Sequence, residues 1–382
     1  MKLIHLSDLH IGKRVNEFNM LEDQKYILNE IIKIADNIKP DIVLIAGDIY
    51  DKSMPSAEAV ELFDEFLTEI AKRNLPCFII SGNHDSAERV AFGSRIMDGQ
   101  GIHISKVFNG TIEHTVFTDN IGEVNIYMLP FIKPANVRRF YPDYEIESYE
   151  DAIKIVIEKS NIDSTKRNIL VAHQFITSSG IEPERCESEN ISVGGIDRVD
   201  ASIFDSFDYV ALGHLHGPQK IGRDTIRYAG SPLKYSFSES RQQKSVTVID
   251  FGQKDNIKID KISLVPIRDM REIKGPINEL LLPENYIDTN TADYIHVTLT
   301  DEDDIMDAIG KIHTVYPNVM RLDFDNSKTR AKGVGSAPEN VNLKSHFELF
   351  KEFYTLQNNV ELEDLKSKIV SELFEELGGG LQ

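Results

Sequence analysis

Residues 213–217 read GHLHG, which sets His214 and His216 one position apart between two glycines. Imidazoles this close can ligate a metal if other segments supply the remaining donors. Four stretches do: SDLH (7–10), GDIYD (47–51), GNHD (82–85) and AHQ (172–174). Asp8 and His10 lie two apart, so an extended chain presents both to one side. Gly47, Gly82 and Gly213 permit tight turns and close backbone approach. The donors are carboxylate, amide and imidazole, with no thiolate, a set that suits manganese, iron or zinc better than a soft copper site. Of the eleven histidines, His10, His84, His173, His214 and His216 fall in these motifs. His5, His103, His114, His296, His313 and His346 lie outside them and read as structural. DxH or GDxxD alone occurs by chance. Five such segments in this order, each after an apolar run, point to one site.

The elements that must position these residues follow from hydrophobic periodicity. KLIHL (2–6), DIVLIA (41–46) and PCFII (76–80) read as buried strands. Between them, residues 20–37 and Pro55 to Lys72 carry helical spacing, the latter with Pro in its first turn. Continuous apolar strands alternating with helices imply an α/β fold with a central sheet covered on both faces. Further strands are expected at 125–130, 168–173, 208–212, 225–229 and 245–250, with a helix at 148–160. In layered α/β folds, ligands gather outside the carboxyl ends of strands. All five motifs sit there.

A first unit therefore spans residues 1–265. Residues 266–325 form a second, small α/β unit, read from a strand at 294–300, a helix at 302–317 and a strand at 319–325. Residues 326–340 follow as a polar linker, with three cations and no acid across 326–337. Two helical patterns (341–357 and 360–377) close the chain within residues 341–378. Their apolar stripes need a surface, either the protein's own body or a partner.

Composition narrows the class. A chain of 382 residues with 41% hydrophobic residues can bury a sizeable core. The formal charge of −20 argues against binding nucleic acid by bulk charge alone. Cys77 and Cys186 form no disulfide framework and read as reduced, and no apolar run is long enough for a membrane span, so a soluble, cytoplasmic protein is expected. No Walker-type phosphate loop is present.

The motif order D-x-H, G-D-x-x-D, G-N-H-D, a lone H and G-H-x-H resembles the calcineurin-like metallophosphoesterase superfamily. The opening IHLSDLHIGK, DIYDKSMPS after Gly47, YAGSP at 228–232, the small α/β unit and the terminal helices resemble the SbcD family of nuclease subunits. That resemblance implies a layered β-sandwich flanked by helices, with a small α/β cap and a C-terminal helical pair. It implies two divalent metals, manganese above all, bridged by Asp48. Asp8, His10 and His216 would complete one metal; Asn83, His173 and His214 would complete the other. His84 would stabilise developing charge or protonate the leaving oxygen, and Asp51 would be its partner. Asp51 reads equally well as a surface acid, and Asp85 as a cap for the helix after Ser86. The implied activity is that of a DNA exonuclease on duplex ends and an endonuclease on single strands and hairpins, in DNA repair, recombination and replication. The implied partners are the SbcC ATPase, bound through residues 341–378 at its coiled coil, DNA guided by the cap, and a second copy of the chain meeting it through the nuclease domain.

Candidates for contact with DNA are Lys13, Arg14, Arg89, Tyr235 and Arg241, with Arg138, Arg139, Lys234, Phe237 and Lys244 beside them. The rival readings are a phosphodiesterase for small or cyclic nucleotides, a protein phosphatase, and a non-catalytic scaffold.

Overall fold

The computed structural model describes residues 1–189, 197–327, 329–330, 347, 350–351, 354–355, 362 and 364–377. Two six-stranded sheets form the body. From edge to edge, the first consists of Ile257–Ser263, Ser245–Phe251, Lys2–Leu6, Ile42–Ala46, Cys77–Ile80 and Ile102–Ile104. The second consists of Gln219–Ile221, Arg223–Tyr228, Tyr209–Gly213, Arg167–His173, Glu123–Leu129 and Glu113–Thr118. The middle of each sheet is parallel. Antiparallel strands extend the first sheet on one side and close both edges of the second.

The central sheet read from periodicity is thus two sheets packed face to face, the layered sandwich that the resemblance implied. Leu3, Leu44, Phe78 and Ile80 of the first meet Ile126, Ile169, Val171 and Ala211 of the second in a dry layer. Alternate residues of the same strands point the other way. Ile4, Val43 and Ile45 pack under the helices Leu21–Ile38 and Ala57–Lys72 through Ile27, Ile31, Phe63 and Phe66. Leu170, Ala172 and Val210 pack against Ile153 and Val156 of the helix Tyr149–Lys159. Strands buried on both faces read as unbroken apolar runs, which is why they stand out in the sequence. Glu113–Thr118 and Ile257–Ser263 are edge strands that alternate between half-buried and exposed residues, and they carry no such run.

Local differences have local causes. The second helix begins at Ala57 rather than Pro55, because the Ser56 hydroxyl accepts from the Ala59 N–H and caps it. The helix expected at 302–317 shrinks to Ala308–His313, capped by Asp307 at a φ of 51°. The acidic run Glu302–Asp304 stays outside it.

Met270–Gly275, Tyr294–Leu299 and Val319–Phe324 form a separate parallel sheet around Ile295, Val297 and Ile312. It meets the body through Asp23, which takes hydrogen bonds from the Tyr294 hydroxyl at 2.7 Å and from Arg268 at 2.9 Å. Lys234 pairs with Asp269 beside this junction, at 2.8 Å. In the tail, the helix Asp364–Leu377 meets the preceding segment where the rings of Phe374 and Phe350 lie 6.0 Å apart. Residue 328, residues 331–346 and most of the remaining expected first tail helix lie outside the described residues. Among the described residues, no helix is long and apolar enough to cross a membrane.

Candidate metal centre

Five parallel strands end at one place, on the seam between the two sheets. The first sheet delivers Asp8 and His10 after Lys2–Leu6, Asp48 after Ile42–Ala46, and Asn83 and His84 after Cys77–Ile80. The second delivers His173 at the end of Arg167–His173, and His214 and His216 after Tyr209–Gly213. Asp8, His10, Asp48 and His214 all have positive φ, at 52°, 45°, 50° and 111°. Non-glycine residues rarely adopt this backbone, and such strain gathers at functional sites.

The glycines permit the crowding. A Cβ on Gly82 would lie 2.1 Å from Asp48 Oδ1. One on Gly213 would lie 1.9 Å from the Ala46 carbonyl oxygen and 2.7 Å from His173 Nδ1. Asp85 ties two of the loops together by accepting from the N–H groups of Ile49, Tyr50 and Gly82 at 2.9–3.0 Å. Burial, with Asp48 next to it, raises its pKa to about 6. Ser86, not Asp85, caps the following helical turn.

The donors fall into two groups around Asp48. In one, Asp8, His10 and His216 place ligand atoms within 4.8 Å of one another, and the Nε2 atoms of His10 and His216 are 3.1 Å apart. In the other, Asn83 Oδ1 lies 2.9 Å from His173 Nε2 and 3.0 Å from His214 Nδ1. Asp48 Oδ2 reaches both groups, at 3.6 Å from His10 Nε2 and 3.3 Å from His173 Nε2.

These residues fit a pair of cations. His173 Nδ1 donates to the Ala46 carbonyl at 2.8 Å, so in neutral imidazole Nε2 presents a lone pair to the oxygens of Asp48 and Asn83. Acceptors facing one another need a proton or a metal between them. Burial opposes charge on His173, but Asp48 prevails and lifts its pKa to about 9. Burial lowers His10 well below the usual range and His214 to about 3, keeping both neutral, the form that ligates. Asp48 stays ionised, since His173 and the other imidazoles outweigh its burial. Neutral imidazoles and an ionised carboxylate, converging through His10 Nε2, His173 Nε2 and His214 Nδ1, make an oxygen- and nitrogen-donor set for divalent metal.

His84 is half-buried at the edge of this cluster, its ring 4.8 Å from that of His10. Its N–H donates to Asp48 Oδ1 at 2.9 Å. The expected pairing with Asp51 takes another form: His84 Nδ1 meets the Asp51 main-chain carbonyl at 2.9 Å. The Asp51 carboxylate turns away to Lys13 Nζ at 2.7 Å.

Burial corrects three of the expected DNA contacts, Tyr235, Phe237 and Lys244. Tyr235 is buried, its hydroxyl donating to the Leu9 carbonyl at 2.5 Å and accepting from Gln24, so it cannot stack on a base. Phe237 is buried as well. Lys244 is buried against Glu239 at 2.6 Å; Lys13 and Lys234 are paired with acids. Arg14, Arg89, Arg138, Arg139 and Arg241 are exposed.

Ser188, Glu189 and Glu239 escaped the sequence reading, yet they surround His216. Ser188 Oγ lies 2.7 Å from His216 Nδ1, and Glu189 accepts from the His216 N–H at 2.7 Å. Burial raises the Glu189 carboxyl, whereas Lys244 overcomes burial and holds Glu239 well below its usual range. No spacing marks them: Ser188 and Glu189 lie in a turn, and Glu239 ends the short 3-10 helix Phe237–Glu239.

Comparison with known proteins decides the family. Residues 1–218 match the model of the calcineurin-like phosphoesterases. The SbcD component of the nuclease SbcCD of Staphylococcus epidermidis is 35% identical over 335 residues, 86% of this chain and 87% of that protein. The chain belongs to the SbcD family. Residues 266–358 match the model described as the type 5 capsule protein repressor C-terminal domain, so the SbcD likeness extends past the phosphoesterase body. A dimetal phosphatase from Danio rerio superposes with a TM-score of 0.42 at 9% identity, covering 70% of this chain and 98% of that one. TT1561 of Thermus thermophilus gives 0.37 at 10% identity, over 68% and 98%.

Proposed function

We propose that this SbcD-family chain is a two-metal DNA phosphodiesterase, an exonuclease on duplex ends and an endonuclease on single strands and hairpins. The observation that carries the reading is the pair of donor groups meeting at Asp48. Asp8, His10 and His216 would hold one cation, Asn83, His173 and His214 the other, and Asp48 would serve both. Two divalent cations held there would supply charge neutralisation for the anionic phosphodiester and a more acidic water. The donors suit manganese, iron or zinc, and the family likeness makes manganese the choice among them.

The chain's own residues supply the rest. His84 Nδ1–H is committed to the Asp51 carbonyl, so a proton given to the leaving oxygen comes from Nε2. The main-chain contact fixes the ring. The relative's name supports action with an SbcC-type ATPase. Residues 266–325 cap the site and guide DNA, and residues 341–378 dock on the ATPase coiled coil. In the tail helix, Ile369 and Leu373 are half exposed, a surface open to that contact. The chain pairs with a second copy through the nuclease domain and works in the cytoplasm, in DNA repair, recombination and replication.

One observation favours a small phosphodiester as substrate: the charge of −20, with three candidate lysines already paired to acids. The test is cleavage of a labelled hairpin duplex with manganese, by wild type and His84→Ala, with and without the ATPase and ATP. Hairpin cleavage lost in the variant while metal is retained supports the nuclease. Hydrolysis of a cyclic nucleotide or another small diester, with DNA untouched under every condition, replaces it with the second reading.

A further inference from the structure

His216 is held at every polar atom but one. Its N–H donates to Glu189 Oε1 at 2.7 Å. Its carbonyl accepts from Lys244 Nζ at 2.8 Å and from the Ser231 N–H at 3.1 Å. Its Nδ1 meets Ser188 Oγ at 2.7 Å. Ser188 Oγ in turn donates to Glu239 Oε1 at 2.5 Å, and Glu239 Oε2 accepts from Lys244 Nζ at 2.6 Å. The connections form a closed ring, from the imidazole through Ser188, Glu239 and Lys244 back to the carbonyl of the same residue. All its members are buried or partly buried.

The ring dictates proton positions. A carboxylate paired with an ammonium has no proton to give, so Ser188 must donate to Glu239. The serine has a single hydroxyl proton, so toward His216 it can only accept. The imidazole therefore carries its proton on Nδ1, and Nε2 is left as a lone pair. That nitrogen faces the metal centre, 3.1 Å from His10 Nε2. His214 has no equivalent. Its Nδ1 faces Asn83, and its Nε2 has no hydrogen-bond partner.

We propose that Ser188 and Glu239, braced by Lys244, are positioning residues that fix the tautomer and ring plane of His216 and so set the affinity of one metal position. The inference rests on the two-metal reading above. It is specific to the Asp8, His10 and His216 side. The Asn83, His173 and His214 side is set by other contacts.

The test is stepwise Mn²⁺ binding to the full chain, followed by calorimetry and by electron paramagnetic resonance, which separates an isolated ion from a spin-coupled pair. Ser188→Ala should weaken one of the two binding steps by roughly 10–100-fold and leave the other unchanged. The coupled-pair signal then appears only at higher Mn²⁺. Ser188→Thr, which keeps the hydroxyl, should restore it, and Glu239→Gln should resemble Ser188→Ala. Metal-free melting of Ser188→Ala and Ser188→Thr should coincide, since a purely structural serine would show its effect there. Two unchanged binding steps in Ser188→Ala would overturn the proposal. So would equal weakening of both steps with a lowered metal-free melting point. Wild type that binds no Mn²⁺ would remove the two-metal reading itself.

Discussion

The two glycines that fence GHLHG should respond very unequally to the same substitution. A Cβ on Gly213 would sit 1.9 Å from the Ala46 carbonyl oxygen, where real Cβ contacts essentially never fall below 3.0 Å. The obstacle is the main chain of a central strand in the facing sheet, so the sheets must part by about 1 Å, because a close-packed interior has no slack to absorb it. Overpacking costs roughly 1–3 kcal/mol where side chains can yield. Here the cost sits at the upper end, and the buried hydrogen bond from His173 Nδ1 to Ala46 is lost as well, adding about 1 kcal/mol. A total of about 4 kcal/mol corresponds to a fall in Tm of about 6 °C for a cooperative unit of roughly 300 residues. A Cβ on Gly217 would meet the side-chain amides of Gln242, 3.2 Å away, and Gln219, 3.6 Å away, flexible tips that can swing aside. Gly217→Ala should stay within about 0.5 kcal/mol of wild type. The assay is calorimetric melting at matched scan rate, with Mn²⁺ stoichiometry measured on the same samples. Gly213→Ala should also lose metal, because His173 is displaced. If both variants melt with wild type and bind metal fully, the close approach of the sheets is not what Gly213 provides.

Other outcomes follow from particular contacts. His84→Ala should cut turnover by about 10²–10⁴-fold while metal binding by calorimetry stays intact. Asp51→Ala should cost far less turnover, because the Asp51 carbonyl still holds His84; equal losses in the two variants would show that the carboxylate acts on His84 after all. Tyr235→Phe should lose about 1 kcal/mol of stability with no change in DNA affinity by fluorescence anisotropy, and weaker DNA binding would contradict its burial. His5 is buried, which lowers its pKa to about 3, against 6.5 when exposed. The unfolded chain therefore takes up a proton that the folded chain refuses. The His5 contribution is fully present above pH 6.5 and declines as pH falls toward 3, by about 2 kcal/mol between pH 6.5 and 5. Chemical denaturation of His5→Gln beside wild type across that window should show a flatter pH dependence, and parallel curves would refute it.

The strands and the motif residues were readable for one shared reason. A strand buried on both faces must be apolar throughout, so the first polar residue after it marks its end, and these ends carry the donors. Asp8, Asp48, Asn83, His173, His214 and His216 stand where that logic sets them. Periodicity alone did not separate the second sheet, because apolar runs do not say which neighbour they pair with; the sandwich came from the motif resemblance. Edge strands such as Ile257–Ser263 were missed because half their residues face water. Burial of single aromatic and basic residues was also out of reach. Tyr235 and Lys244 lie in one short segment with Arg241, and only the fold separates the exposed arginine from its buried neighbours. The supports of His216 came from a turn and a one-turn helix some fifty residues apart, which no local pattern links.

The seam that carries the donors has a consequence for how the protein assembles. Each sheet brings an incomplete share: Asp8, His10, Asp48 and Asn83 on one, His173, His214 and His216 on the other. Neither hemisphere can present the full set before the two have met. The site is therefore a late product of folding, closed by contacts more than two hundred residues apart, such as His10 with His216. A cation bound there acts as a clasp across the join, because it rewards only the state in which both halves are together. A chelator would then do more than silence a reaction. It would undo the latch that keeps the two layers from parting.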